Sequence, residues 1–265
     1  MLKVIVSGID GRMGHTVRAA VSEDPGFAGF EVVAGFDKRD GDAGGVPVFS
    51  SPDGDPGAVP RADAVIDFSS YAFVPKVLRY CALAKTPAVI ATTALGEGEL
   101  ALMRDTAESV AVFHSANMSL GVNLVAKMSR LAAPAIEDGF DIEIVEAHHS
   151  QKKDAPSGTA VLLADAINDA LAGRREYIYG RHGRDGRAPG QPEIGIHAVR
   201  GGTIPGRHAV LFAGPDETIE IVHTVYSRKV FAAGALKAAA FIAGKGPGLY
   251  DMDDLLGAAS RGETV

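Results

Sequence analysis

The chain has 265 residues, a net charge of −7, 46% hydrophobic and 22% charged residues. It is long enough for one large domain or two moderate ones, and its acidic balance gives no support for nucleic-acid binding. No apolar run reaches the ~18 residues of a membrane span, and a single cysteine, Cys81, excludes an internal disulfide and fits a reducing, cytoplasmic compartment.

Residues 2–7 read as a buried strand rather than a cleavable leader, and Arg12 to Ser22 as a helix stopped by Asp24-Pro25-Gly26. A strand follows at 31–36, then a Gly-, Pro- and Asp-rich loop to Pro60 with a short edge strand near Val46-Pro47-Val48. Strands at 64–68, 88–91 and 110–113 alternate with helices at 71–84 and 97–109. This alternation is the mark of βαβ units on a parallel sheet.

A long helix is expected over 117–134, after which the texture changes. Residues 140–147, 193–199, 208–213 and 218–225 carry polar residues at every second or third position, as strands of a sheet with one open face do, with a helix at 159–171. A long Ala-rich helix over 227–243 and a short terminal element at 250–255 close the chain. The fold class is α/β: an N-terminal Rossmann-like parallel-sheet domain and a second α+β domain with a mostly open mixed sheet. The expected division is 1–117, completed by 228–265, for dinucleotide binding, and 118–227 for substrate.

The first chemical signal is Gly8-Ile9-Asp10-Gly11-Arg12-Met13-Gly14, between the first strand and the first helix. Glycines there permit a sharp turn and close approach of phosphate to backbone, while the helix start offers free amides and a favourable dipole. The spacing is GxxGxxG, not GxGxxG. Asp37, at the end of the second strand, suits the ribose hydroxyls of NAD, whereas Lys38 and Arg39 suit a 2′-phosphate or simply a solvated turn. Ser69, Ser70, Thr92 and Thr93 fall just past strand ends, where ligands of open parallel sheets sit and where turn hydroxyls also satisfy local amides.

The second signal is the block of fourteen residues from Glu146 to Thr159, with His148, His149, Lys152 and Lys153. If the segment is strand-like, one imidazole faces a pocket and the other faces away. No cysteine nearby and no HExxH completes a metal site, so no metal is expected. Imidazole and ammonium suit proton transfer and charge stabilisation. Asp154 orients one of these groups or caps the loop. Pro156-Ser157-Gly158-Thr159 is a helix start whose amides can cradle a carboxylate or are merely capped. Arg200-Gly201-Gly202-Thr203, with Gly206 and His208, is a second Gly-rich turn or a plain hairpin. Arg174, Arg175, Arg181, Arg184, Arg187, Arg200 and Arg207 form a candidate basic region.

These motifs resemble the dihydrodipicolinate reductase family over essentially the whole chain. The resemblance is carried by Gly8 to Gly14, Asp67-Phe68-Ser69, Ala91-Thr92-Thr93, Ser115 to Asn123, Glu146 to Ala160, Arg200-Gly201-Gly202 and the closing helix. It implies reduction of a small cyclic imine dicarboxylate by NADH and/or NADPH, with His148 as the acid/base and Lys152 as a second proton donor. It further implies His149, Gly158 and Thr159 on the substrate. Gly8, Ile9, Asp10, Gly11, Arg12, Met13, Gly14, Asp37, Lys38, Ala91, Thr92, Thr93, Ser115, Ala116, Asn117 and Met118 would then line the cofactor. The family resemblance also implies a homotetramer built through the second domain's sheets. Three positions depart from the pattern common in the family: Ala91 for Gly, Met118 for Phe, and Ser70 where some members carry Arg. Without the resemblance, a semialdehyde dehydrogenase or a nucleotide sensor remains open. Cys81, in an apolar helical stretch, is poorly placed for the thioester that such a dehydrogenase would need.

Overall fold

Short β-rich apolar runs separated by helices give the first half of the chain its architecture. The structure, a computed structural model, describes residues 1–183 and 192–263. In chain order the first elements are β1 (Leu2–Ser7), α1 (Arg12–Glu23), β2 (Phe30–Phe36), β3 (Gly41–Asp42), β4 (Pro47–Phe49), β5 (Ala64–Asp67), α2 (Val74–Ala84), β6 (Ala88–Ile90), α3 (Glu97–Ala107) and β7 (Ala111–His114). Then come α4 (Leu120–Ala135), β8 (Asp141–His148), α5 (Gly158–Ala170), β9 (Glu176–Tyr179), β10 (Glu193–Arg200), β11 (Arg207–Ala213) and β12 (Thr218–Thr224). The chain closes with α6 (Lys229–Ile242), β13 (Gly248–Tyr250) and α7 (Met252–Ser260). Two compact units result: Met1–Leu120 with Arg228–Val265, and Gly121–Ser227.

The first unit holds a sheet of order β13-β7-β6-β5-β1-β2-β4-β3, parallel except for the β3–β4 edge. Its central strands β1, β5, β6 and β7 are largely buried on both faces because alternate side chains feed two cores. Val4, Val6, Ile66 and Phe113 pack with residues of α1, α6 and α7. Ile5, Val65, Ile90 and Val112 pack with residues of α2 and α3. Each fully buried Ile or Val here contributes roughly 1.5–3 kcal/mol. Cys81 is a filler of this second core, and burial, with the nearby Asp67 charge, drives its thiol far above the ordinary range.

The second unit is a five-stranded sheet of order β12-β11-β8-β10-β9, with β8, β10 and β9 parallel and β11 and β12 antiparallel. Ile142, Ile144, Ile194, Ile196, Val210 and Phe212 lie on one face beneath Val125, Ala126 and Ala133 of α4 and Leu163, Ala164 and Ile167 of α5. The opposite face carries Val199 and Val222, 47% and 44% exposed.

Several expectations need correction. The long helix starts at Leu120, not Asn117, because Asn117 Oδ1 accepts the Ser119 N–H at 2.9 Å and commits 117–119 to a turn. The helix expected from Tyr71 starts at Val74, since Phe73 N–H and Val74 N–H both bond to Ser70 O in a turn. The single terminal element resolves into β13 and α7, separated by the Asp251 cap. Sequence pattern overlooked β9, whose Tyr177 and Tyr179 alternate on an edge strand. The described arginines of the candidate basic region do not form one. Arg174 and Arg175 meet Glu137, Arg181 meets Glu143 and Glu193, Arg200 meets Glu146, and Arg207 meets Glu220. Arg184 and Arg187 lie outside the described residues.

Candidate functional site

Two groups of chemically able residues stand out, one in each unit. In the first unit the turn after β1 is folded back on itself by Gly8 N–H and Ile9 N–H, both donating to Phe36 O at the end of β2. Gly8 sits at φ +75°, a region that L side chains rarely adopt, and any Cβ there would lie 2.7 Å from Phe68 O. Gly14 is buried in the first turn of α1, and a Cβ would overlap the Gly8 and Ile9 carbonyls. Helix α1 therefore begins hard against the loop. Its Gly11 N-cap provides no side-chain cap and its first turn holds no acidic residue, which leaves amides and dipole for an anion.

Asp37 accepts the Asp10 N–H at 3.0 Å and the Lys38 N–H at 2.8 Å, so its carboxylate ties the glycine loop to the end of β2. Beside it lies a cavity of about 300 Å³ lined by Gly8, Asp10, Gly11, Asp37, Lys38 and, across from them, Phe68, Ser69, Ser70 and Phe73. A second cavity of about 340 Å³ shares Phe68 and Ser69 and is lined by Met13, Ala91, Thr92, Thr93, Ala116, Asn117, Met118 and Phe231. Ile9 is buried in the core, Gly14 is packed against the loop, Arg12 is exposed at the helix start, and Ser115 donates to Asn117 O at 2.8 Å beside the second cavity. Sequence reasoning missed Phe231, which α6 delivers from more than a hundred residues away. It also gave no role to Asp67. That carboxylate is fully buried and accepts the hydroxyls of Ser69 at 2.6 Å and Thr92 at 2.5 Å, joining the ends of β5 and β6. Burial raises its pKa against the pull of those hydrogen bonds.

In the second unit the strand ends of β8 and β10 carry a polar cluster on the face that is apolar elsewhere. Glu146 is fully buried. Its Oε1 accepts the Ser157 N–H at 2.9 Å and Arg200 Nη2 at 2.7 Å, while Oε2 accepts Arg200 Nη1 at 2.8 Å. The same Oε2 lies 2.6 Å from His148 Nδ1. Burial alone would raise the Glu146 pKa, but the bonds from Arg200, His148 and the Ser157 amide outweigh it and hold it below the usual carboxylate range. Arg200 is raised in turn by its hydrogen bonds to Glu146.

His148 and His149 divide as a strand end requires. The His148 side chain is 12% exposed and turned into the cluster, and His149, one residue beyond β8, is exposed. His208, opposite Glu146 on β11, meets the His148 ring edge-on at 5.1 Å and lies 2.9 Å from Ser157 Oγ. Burial, reinforced by the His148 charge, lowers its pKa to about 4, so it is neutral near pH 7. Ser157 is the N-cap of α5, accepting the Ala160 N–H at 3.2 Å. Gly158, exposed, and Thr159, half-buried, form the first turn. Lys152 Nζ is 2.9 Å from Asp154 Oδ2, a bond that depresses the Asp154 pKa. Glu146, Arg200, Ser157 and His208 received no site role from the sequence. The signal was present for Glu146, two residues before His148 on a strand and so on the same face.

Among the described residues no group of three or more His, Cys, Asp or Glu side chains is placed to hold a metal ion, and no helix is long and apolar enough to cross a membrane.

Comparison with known proteins is consistent along the chain. The family description "Dihydrodipicolinate reductase, N-terminus" matches residues 2–118, and "Dihydrodipicolinate reductase, C-terminus" matches 121–256. A 4-hydroxy-tetrahydrodipicolinate reductase of Caldanaerobacter subterraneus subsp. tengcongensis is 49% identical over 97% of this chain and 98% of its own. One from Clostridium tetani is 44% identical over 97% of each. A solved dipicolinate-bound dihydrodipicolinate reductase from Paenisporosarcina sp. TG-14 superposes with a TM-score of 0.78 at 25% identity, covering 95% of this chain and 97% of that one.

Proposed function

This chain belongs to the dihydrodipicolinate reductase family, and from that premise we propose how its two sites divide the reaction. The enzyme is an NAD(P)H-dependent 4-hydroxy-tetrahydrodipicolinate reductase of lysine and diaminopimelate biosynthesis, forming tetrahydrodipicolinate from a cyclic imine dicarboxylate.

The first unit's rim fits a dinucleotide: a glycine turn that excludes side chains, uncapped helix amides, and two adjoining cavities along the strand ends. Bound there, the nicotinamide cofactor supplies the hydride. Gly8, Ile9, Asp10, Gly11, Arg12, Met13 and Gly14 hold its phosphates, Asp37 and Lys38 its adenosine ribose, and Ala91 to Thr93 with Ser115 to Met118 its nicotinamide end. Lys38 is exposed beside Asp37, which suits acceptance of either cofactor.

In the second unit Gly158 and Thr159 bind one substrate carboxylate at the N-terminus of α5, and Lys152 and His149 contact the substrate. His148 gives a proton to the centre that gains electron density, with Lys152 as the second donor. The observation that carries this reading is that one buried carboxylate, Glu146, holds both the His148 imidazole and the Ser157 amide that opens α5.

The test follows the loss of reduced-nicotinamide absorbance, with substrate made in situ by the preceding synthase from pyruvate and aspartate semialdehyde. Wild type oxidises NADH or NADPH only with substrate present. His148→Gln lowers kcat by about 10²- to 10⁴-fold with cofactor binding intact. No substrate-dependent oxidation by wild type would sink the reading.

The dicarboxylate-binding chain acts as a homotetramer in the cytoplasm. The open face of the second sheet, with exposed Val199 and Val222, supports assembly through that sheet. The lone buried thiol suits a reducing compartment. Light scattering during size-exclusion chromatography reads the assembly.

A further inference from the structure

Among the described residues the three partners of Glu146 come from three different elements, and together they leave the carboxylate one use. Arg200 from β10 binds it through two nitrogens, the Ser157 amide from the start of α5 binds one oxygen, and His148 from the end of β8 takes the other. Arg200 is itself fixed, since Nη2 also donates to Asp154 O at 2.6 Å and Nη1 to Val199 O at 2.8 Å. A carboxylate clamped this way neither moves nor turns toward solvent, and its fully buried position keeps it from touching substrate. What it does hold is one nitrogen of an imidazole.

We propose that Glu146 is the positioning residue for His148: it keeps the hydrogen on Nδ1, so that Nε2 is the nitrogen that hands a proton to the substrate. The inference rests on the proton-donor role given to His148 above. An ionised carboxylate only accepts, so a ring nitrogen 2.6 Å from it is the one that carries hydrogen. Nε2 then points the other way, toward Gly206, where a Cβ would lie 3.3 Å from it. In the transfer the Nε2–H bond breaks, its electron pair stays on the ring, and the proton bonds to the substrate. The neutral imidazole that remains is still bound to Glu146 through Nδ1–H, and solvent at the partly open ring restores the proton. Arg200 is a counter-charge that keeps Glu146 ionised through this cycle, so the carboxylate does not take the proton itself.

The charged and titratable groups around the pair are Arg200 on β10, His208 on β11, His223 beyond it on β12, and Lys152 and Asp154 on the loop. Among the described residues the contact at His148 Nδ1 is Glu146 Oε2, at 2.6 Å, so Glu146 is the group whose change the ring registers.

The experiment compares full-length wild type, Glu146→Gln, Glu146→Asp and His148→Gln. Each is assayed for kcat and KM across pH, and the imidazole nitrogens of His148 are followed by ¹⁵N NMR. Glu146→Gln removes the charge at constant volume. It is expected to lower kcat at least about tenfold with a smaller change in KM, to shift the alkaline limb of the kcat profile to lower pH, and to mix the two tautomers in the spectrum. Glu146→Asp, which keeps the charge, restores the limb and the Nδ1–H signal in part even if it lowers stability. An unmoved pH limb and an unchanged tautomer in Glu146→Gln overturn the proposal. If His148→Gln keeps its kcat, the donor role fails instead, and the tautomer spectrum still decides whether Glu146 orients the ring.

Discussion

The rim proposed for the cofactor and the cluster proposed for proton transfer are built from opposite materials. The rim is made of backbone: a glycine at positive φ, amides at an uncapped helix start and short hydroxyl side chains past the strand ends. The cluster is made of side chains: Glu146 holds His148 on its own strand and Arg200 54 residues away, and Ser157 Oγ meets His208 51 residues away. A rim of backbone tolerates exchange at most side chains but not an added methyl where the chain approaches itself. A cluster of side chains tolerates backbone change at its edges but not the loss of one charge.

The sharpest break is Arg200→Met. It leaves the fully buried Glu146 without its counter-charge, and breaking such a pair costs about 3–5 kcal/mol. Denaturant unfolding of the second unit should show a loss of that size. The double variant Arg200→Met with Glu146→Gln should recover a large part of it, since no unpaired charge remains. Equal losses in single and double variants would mean that the pair contributes through packing alone.

Acid titration comes next in size. His208 is held neutral in the folded chain, with a pKa of about 4 against an ordinary 6.5. Between those values the unfolded chain binds a proton that the folded chain refuses, so stability falls as pH drops from about 6.5 to about 4, by about 3 kcal/mol in all. Glu146 adds to the loss at lower pH, because its folded pKa is depressed below 4.5 and its stabilisation disappears as pH falls through that folded value. His208→Gln should flatten the upper part of this acid slope in urea titrations. An unchanged slope from pH 6.5 to 4 would show that His208 accepts its proton in place.

The same contrast explains what could be read from the chain. The glycine turn, Asp37 and the strand-end threonines were legible because each is local: a strand, a turn and a helix in sequence fix where backbone amides and hydroxyls lie. The cluster was legible only at its two consecutive histidines and the helix start. Arg200 finds Glu146 through the parallel register of β10 on β8, and His208 finds it through the antiparallel register of β11. Neither register can be counted from one sequence. Edge strand β9 escaped for a related reason: four residues with a partly exposed pattern carry little periodicity of their own. The helix starts at Leu120 and Val74 were misplaced because turn hydrogen bonds used the residues before them.

The smallest change proposed tests the backbone side of the comparison. Gly14→Ala adds one methyl group where α1 rests on the Gly8 and Ile9 carbonyls, and the surrounding atoms are main chain, which cannot rotate away. The helix must lift from the loop. Overpacking of this kind costs about 1–3 kcal/mol, and the lift also turns the first amides of α1 from the place proposed for the phosphates. NADH affinity, read by fluorescence titration, should fall by about tenfold, while affinity for dipicolinate, the probe for the substrate site proposed in the second unit, should not change. Equal weakening of both ligands would mean that the two sites respond as one body. An unchanged NADH affinity would mean that the phosphates are held by side chains such as Arg12 and not by the helix start.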